Sequence, residues 1–131
     1  MNSFHEVLYP EDFHLQKIRI HSACEAELKE LIEKSGHEAM FKAHFRKRLS
    51  FLQEKWEKAV EHRNWFELLK GEGLYSLRLV NINNIRILYV LRKKHAFLLC
   101  AFKEKGKKPG EDSYAHYTPI ARSRMSDIKE E

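Results

Sequence analysis

The chain has 131 residues, 43% of them hydrophobic, and a formal net charge of +5. That length supports one hydrophobic core and not two, so residues 1–131 read as a single domain, and the composition excludes a disordered chain. The longest apolar run, Ala96–Phe102, is too short to span a bilayer. Residues 1–20 alternate apolar with charged positions and lack the pattern of a secretory leader. A reducing cytoplasm, with no membrane partner, is the expected setting.

In chain order, Phe4–Tyr9 reads as a short strand stopped by Pro10, and Phe13–Ile20 as a second strand or an irregular crossing. Ser22-Ala-Cys-Glu25 has the spacing of a capping box, with Ser22 as N-cap and Glu25 reaching back. Leu28, Leu31 and Ile32 then mark one face of a helix, and Ser35-Gly36 stops it. A longer helix follows, with an apolar stripe of Phe41, Phe45, Leu49, Leu52, Trp56 and Ala59/Val60. Lys42, Arg46, Lys47, Lys55 and Glu57 solvate its other side. The two helices form an αα-hairpin.

After Trp65–Leu69 the periodicity changes to alternation. Leu74–Val80, Ile85–Leu91 and Ala96–Lys103 read as three strands joined by short loops, which forces an antiparallel meander. Tyr114–Met125 reads as a closing helix or tail whose length Pro119 limits. The predicted class is α+β, with an N-terminal αα-hairpin packed on the meander. Cys24 and Cys100 lie in apolar contexts without metal or redox spacing and read as buried hydrophobes. His5, His14, His21, His37, His44, His62, His95 and His116 are scattered, so no metal is expected, nor any cofactor.

Charge is unevenly distributed. Between Asn64 and Gly110 ten basic residues face three acidic ones, a surplus of seven, so the rest of the chain is slightly acidic. Arg78 and Arg86 interrupt two apolar strands, and a lysine run, Lys103 to Lys108, ends the third. A guanidinium within a strand is costly to bury unless it meets an anion or solvent. Two on neighbouring strands build a cationic sheet face suited to phosphate. The alternative is that both are solvated and pair with helix carboxylates. Strand register bears on the choice: Val80 opposite Asn84 puts Arg78 and Arg86 on one face, whereas Val80 opposite Ile85 puts them on opposite faces.

Leu69-Lys-Gly-Glu-Gly-Leu-Tyr-Ser-Leu-Arg78, Arg86-Ile-Leu-Tyr89 and Leu98–Lys105, after a helical hairpin, resemble the HigB-like, phage-derived branch of the RelE/ParE toxin superfamily. The match covers about a third of the chain, and elsewhere the resemblance rests on topology. It implies a type II toxin that cuts mRNA on the ribosome without a metal, through attack of an RNA 2′-hydroxyl on its own phosphate. It further implies Arg78 and Arg86 as phosphate-stabilising groups, with Lys103 and Lys105 grounding the RNA backbone or acting as base. Lys70, Lys107, Lys108, His116 and Tyr117 are the implied RNA contacts. The partners would be a cognate antitoxin, often with a helix-turn-helix, together with mRNA and the ribosome. Two other readings stand beside this one: a ParE-like toxin that binds a protein target such as DNA gyrase, and an inactive RNA-binding relative. The tail Tyr114-Ala-His-Tyr-Thr-Pro119 departs from the regular apolar helix of related toxins. Trp56 and Trp65 read as core or, less readily, as antitoxin contacts.

Overall fold

The computed structural model describes residues 3–105 and 113–129. Its strands are β1 (Phe4–His5), β2 (Ile18–His21), β3 (Phe66–Leu69), β4 (Leu74–Leu79), β5 (Ile85–Leu91) and β6 (Ala96–Lys103). Its helices are α1 (Ser22–Glu33), α2 (Glu38–Lys55) and α3 (Ser113–Met125). Together they form an α+β fold with one six-stranded sheet in the order β1-β2-β6-β5-β4-β3.

The sheet is mixed rather than the purely antiparallel meander expected. Strands β3 to β6 do form a meander, but β2 docks parallel to β6 and β1 closes that side antiparallel. The helical pair is therefore not N-terminal, because two strands precede it. The cause is burial: Ile18 and Ile20 are fully covered, and without β2 the apolar strand β6 would be left as a sheet edge. Segment Phe66–Leu69, expected only as a point where the periodicity changes, is the opposite edge strand. The turn from β3 to β4 needs left-handed backbone at Gly71 and Gly73 (φ +77° and +70°), conformations that disfavour a side chain.

One sheet face packs α1 and α2 through Leu28, Ile32, Phe41, Phe45, Leu49 and Leu52. The other carries α3 over Leu74, Leu88, Phe97, Leu99, Cys100 and Phe102. Strand β5, buried on both faces over almost its whole length, is the spine of the sheet. Both cysteines are buried, and burial pushes the Cys100 thiol up to about 12, so neither is a nucleophile at neutral pH.

Three local expectations are corrected. The N-cap of α1 is His21, whose Nδ1 accepts the Ala23 N–H at 3.1 Å. Ser22 instead bonds Ser3, and the Glu25 carboxylate accepts the N–H groups of Leu8 and Tyr9. With Nδ1 an acceptor, His21 Nε2 carries the proton and donates to Asp127 at 2.9 Å. Helix α2 ends at Lys55 rather than running to Val60. Trp56 takes a left-handed φ of +54°, and a 3-10 turn, Trp56–Glu61, continues the chain. Finally, α3 runs through Pro119. The proline removes only the bond to the carbonyl of exposed Ala115, while buried Thr118 and Ala121 hold the helix on the sheet.

The Tyr89 hydroxyl is buried and has no hydrogen-bond partner among the described residues. Burial, with Tyr75 stacked beside it, holds this phenol far above its ordinary range. An unsatisfied buried hydroxyl costs more than its removal. Tyr89→Phe is therefore expected to stabilise the fold by about 1 kcal/mol, read as a higher urea midpoint with unchanged slope. A loss of stability would mean that the hydroxyl has an acceptor.

Candidate nucleic-acid interface

Arg78 lies directly opposite Arg86, and Leu79 opposite Ile85. This is the register that places both arginines on one face, the face covered by α3. The C-terminal end of β4, the start of β5 and the end of β6 meet at the same end of the sheet, so Arg78, Arg86 and Lys103–Lys105 gather there.

The two arginines differ in state. The Arg86 side chain is 6% exposed, and its Nη2 meets Glu104 Oε2 at 2.6 Å. Its Nη1 donates to Asn84 Oδ1 at 3.1 Å and to the Ile85 carbonyl at 3.2 Å. Arg86 thus has a carboxylate, though one supplied by the end of β6 and not by a helix. Arg78 is half-buried; its Nη1 donates to the Arg63 carbonyl at 3.2 Å, and no carboxylate among the described residues pairs with it. Of this pair Arg78 is the cation available to a phosphate.

The lysines separate from the arginines. Lys103 pairs with Ile85, on the face of α1 and α2. The reason is a bulge: Leu88 pairs with Cys100 but Tyr89 with Leu98, which leaves Leu99 as an extra residue in β6. The bulge shifts the phase of everything after it, bringing Phe102 onto the face of Arg86 and turning Lys103 away. Lys103 and Lys105 line a groove of about 410 Å³ together with Glu27, Lys34, Asn83 and Tyr117. Tyr117 stacks on Phe102, ring centroids 4.3 Å apart, and exposed His116 packs edge-on against Tyr117. Lys70 sits in the β3–β4 turn, at the far end of β4 from Arg78, and lines a separate groove with Glu67 and Tyr114. Lys107 and Lys108 lie outside the described residues.

Sequence reasoning missed several groups. Glu104 was submerged in the lysine run; its signal was an acidic residue between two lysines, on alternate positions from them. Tyr114 hydrogen-bonds Ser76 at 3.0 Å and lies against Phe102. Burial raises its phenol, against lowering by Ser76 and Arg86, so it keeps its proton at neutral pH.

Arg48 was missed as well, although its position three after Phe45 and four before Leu52 places it inside the apolar stripe. It is 8% exposed. Its guanidinium lies over Trp65, 4.7 Å from the ring centroid, and Nη1 lies 3.1 Å from His44 Nδ1. Trp65 is stacked on His62 at 4.0 Å and packs partly buried against the core, as does Trp56.

Burial first, then the charges of Arg48 and Lys47, hold the His44 imidazole below its ordinary value. A depressed folded pKa favours the neutral ring, so this stability is full above the unfolded value of about 6.5 and is lost as pH falls through the folded one. Wild type is expected to lose stability relative to His44→Gln on acidification below about pH 6.5. A constant difference between the two urea midpoints from neutral to acidic pH would refute this.

Among the described residues no group of three or more His, Cys, Asp or Glu is placed to hold a metal ion, and no helix is long and apolar enough to cross a membrane. Comparison with known proteins finds no matching family model, no matching curated protein and no matching solved structure.

Proposed function

We propose that this chain is the toxin of a type II toxin–antitoxin pair, a RelE/HigB-like endoribonuclease that cuts mRNA on the ribosome without a metal. The observation that carries the reading is Arg78 opposite Arg86 on one sheet face, at the end where β6 delivers its charged residues. The motif order supports it. Leu69–Arg78 forms the turn and strand β4, Arg86–Tyr89 lies on β5, and the run after Phe102 ends β6, all following the two helices.

In this reading Arg78 binds the scissile phosphate and stabilises its developing negative charge. Arg86 is a positioning residue that holds Glu104, whose carboxylate accepts the proton of the attacking 2′-hydroxyl. The 2′-oxygen bonds to phosphorus, and the bond from phosphorus to the 5′-oxygen breaks. That oxygen takes a proton from Tyr114, leaving a 2′,3′-cyclic phosphate and a 5′-hydroxyl. Lys103, Lys105 and Tyr117 hold flanking RNA in the groove beside α1. A small antitoxin, complementary in charge, covers the cationic end of the sheet.

The test is inducible expression in bacteria, wild type beside Arg78→Ala, with growth and mapped mRNA 5′ ends as readouts. Arrest with new cleavage sites is expected in wild type, and a drop in cleavage of about 100-fold in the variant, the cost of one phosphate-stabilising donor. Arrest without new 5′ ends would favour a ParE-like toxin acting on a protein target. No arrest from soluble wild type would overturn the toxin reading and leave an RNA-binding relative.

A further inference from the structure

Five of the nine arginines meet a carboxylate: Arg19, Arg46, Arg86, Arg122 and Arg124 pair with Glu6, Glu11, Glu104, Glu72 and Glu27. Arg48, Arg63, Arg78 and Arg92 meet none among the described residues, and three of these four share one corner of the molecule. Arg78 N–H donates to the Trp65 carbonyl at 2.7 Å, Arg78 Nη1 donates to the Arg63 carbonyl, and the Arg48 guanidinium covers the Trp65 ring. Lys47, exposed on the preceding residue of α2, brings its ammonium to 5.7 Å from the same ring. The corner lies where edge strand β3 begins, so it faces solvent beyond the sheet.

Arg48 is the anomaly. It is more than nine-tenths buried, and among the described residues its Nε has no partner and its only polar contacts are the neutral His44 ring nitrogen and the His44 carbonyl. A buried guanidinium without an anion carries unrelieved desolvation, and stacking on one indole recovers only part of it. An external anion seated against Nη2, the edge that bonds no described group, would supply the missing charge. Lys47 beside it adds to the attraction, and no carboxylate among the described residues pairs with Arg48.

We propose that Arg48, Lys47 and Trp65 form a phosphate site for the backbone of single-stranded RNA, separate from the paired arginines of the sheet and continuous with Arg78 around the edge of β3. It rests on the reading of the chain as an RNA-binding protein but not on cleavage. RNA phosphates reaching Arg78 pass the Arg63–Trp65 segment on to α2, and the guanidinium there is held in its stacked position before the ligand arrives. A planar fork fixed on an aromatic face loses little freedom on binding phosphate, which is why burial of Arg48 favours the site.

The experiment is a titration of a short fluorescein-labelled 2′-O-methyl oligouridylate, which cannot be cleaved, into wild type, Arg48→Met and Lys47→Gln at several salt concentrations. Arg48→Met removes an uncompensated buried charge and is expected to keep or raise the urea midpoint. Its RNA affinity is expected to fall about tenfold at low salt, the size of one charge-assisted contact, with a smaller loss for Lys47→Gln. Each variant should flatten the salt dependence by about 0.7 in log–log slope, one phosphate contact fewer. Unchanged affinity and slope in both folded variants would overturn the site while leaving the RNA reading intact. No binding by wild type would overturn both. Tighter binding of a polyglutamate peptide than of RNA, lost in Arg48→Met, would overturn the proposal in favour of an acidic protein segment.

Discussion

Glu104→Gln is expected to destabilise the fold by about 3 kcal/mol, because it leaves Arg86 charged, buried and without an anion. The Nη2–Oε2 contact is 2.6 Å, and the groups that remain, Asn84 Oδ1 and the Ile85 carbonyl, are neutral. Breaking a buried pair from one side costs about 3–5 kcal/mol, and the 29% exposure of the Glu104 side chain places this case at the lower end. The measurement is urea unfolding with an unchanged slope. The double variant Arg86→Met/Glu104→Leu is expected to return close to wild-type stability, since it removes both desolvation penalties together. A single variant within about 0.5 kcal/mol of wild type would mean that Arg86 reaches water when Glu104 is lost. The result also bears on function. Arg86→Ala leaves a carboxylate unpaired and disturbs the sheet end, whereas Arg78, whose side chain bonds only the Arg63 carbonyl among the described residues, can be removed with little cost to folding.

The second large effect is expected from Glu27→Ala, again about 3 kcal/mol, from the loss of the clamp that fastens α3. Both Glu27 oxygens accept from Arg124, each at 2.8 Å, and Oε1 also accepts the Ala101 N–H at 3.1 Å. Arg124 in turn donates to the Leu99 carbonyl at 2.9 Å, and the Glu27 carboxylate holds its guanidinium above the ordinary range. Three elements meet at this one carboxylate: α1, the bulged segment of β6 and the last turn of α3. Truncation leaves a guanidinium, a strand N–H and a helix end without their acceptor. Amide exchange is expected to show α3 opening at lower free energy than β5. If α3 and β5 exchange together in the variant, the helix is held by its apolar contacts with Phe102 and Leu99 instead.

Much of the architecture was legible because the patterns were long. The three strands Leu74–Val80, Ile85–Leu91 and Ala96–Lys103 fall within one residue of β4, β5 and β6, since alternation over six to eight residues bounded by turn residues admits few readings. The helical stripe from Phe41 to Leu52 is the buried face of α2. Less was legible where a partner decides. Phe13–Ile20 could not be placed because the strand Ile18–His21 is short and exists through parallel pairing with β6, nearly eighty positions away. The Ser22 cap was displaced because Ser22 N–H was already taken by Ser3, a contact made by the packing of β1.

The site shows the same division. Its charges were readable as residues in strands, and so was the dependence of the arginine pair on register. Which charge faces which neighbour was not. Two features of the tertiary structure settled it: the register that sets Arg78 against Arg86, and the extra residue Leu99 that turns Lys103 to the other face while Glu104 meets Arg86. Local pattern was enough for the α+β class, the principal strands and helices, and a basic segment between Asn64 and Gly110. The mixed sheet, the neutralised state of Arg86 and the uncompensated burial of Arg48 emerge from long-range packing alone. The difference is one of range. Periodicity and turn chemistry act between neighbours in the chain, whereas strand register, a bulge and the partner of a charge depend on groups brought together from distant positions.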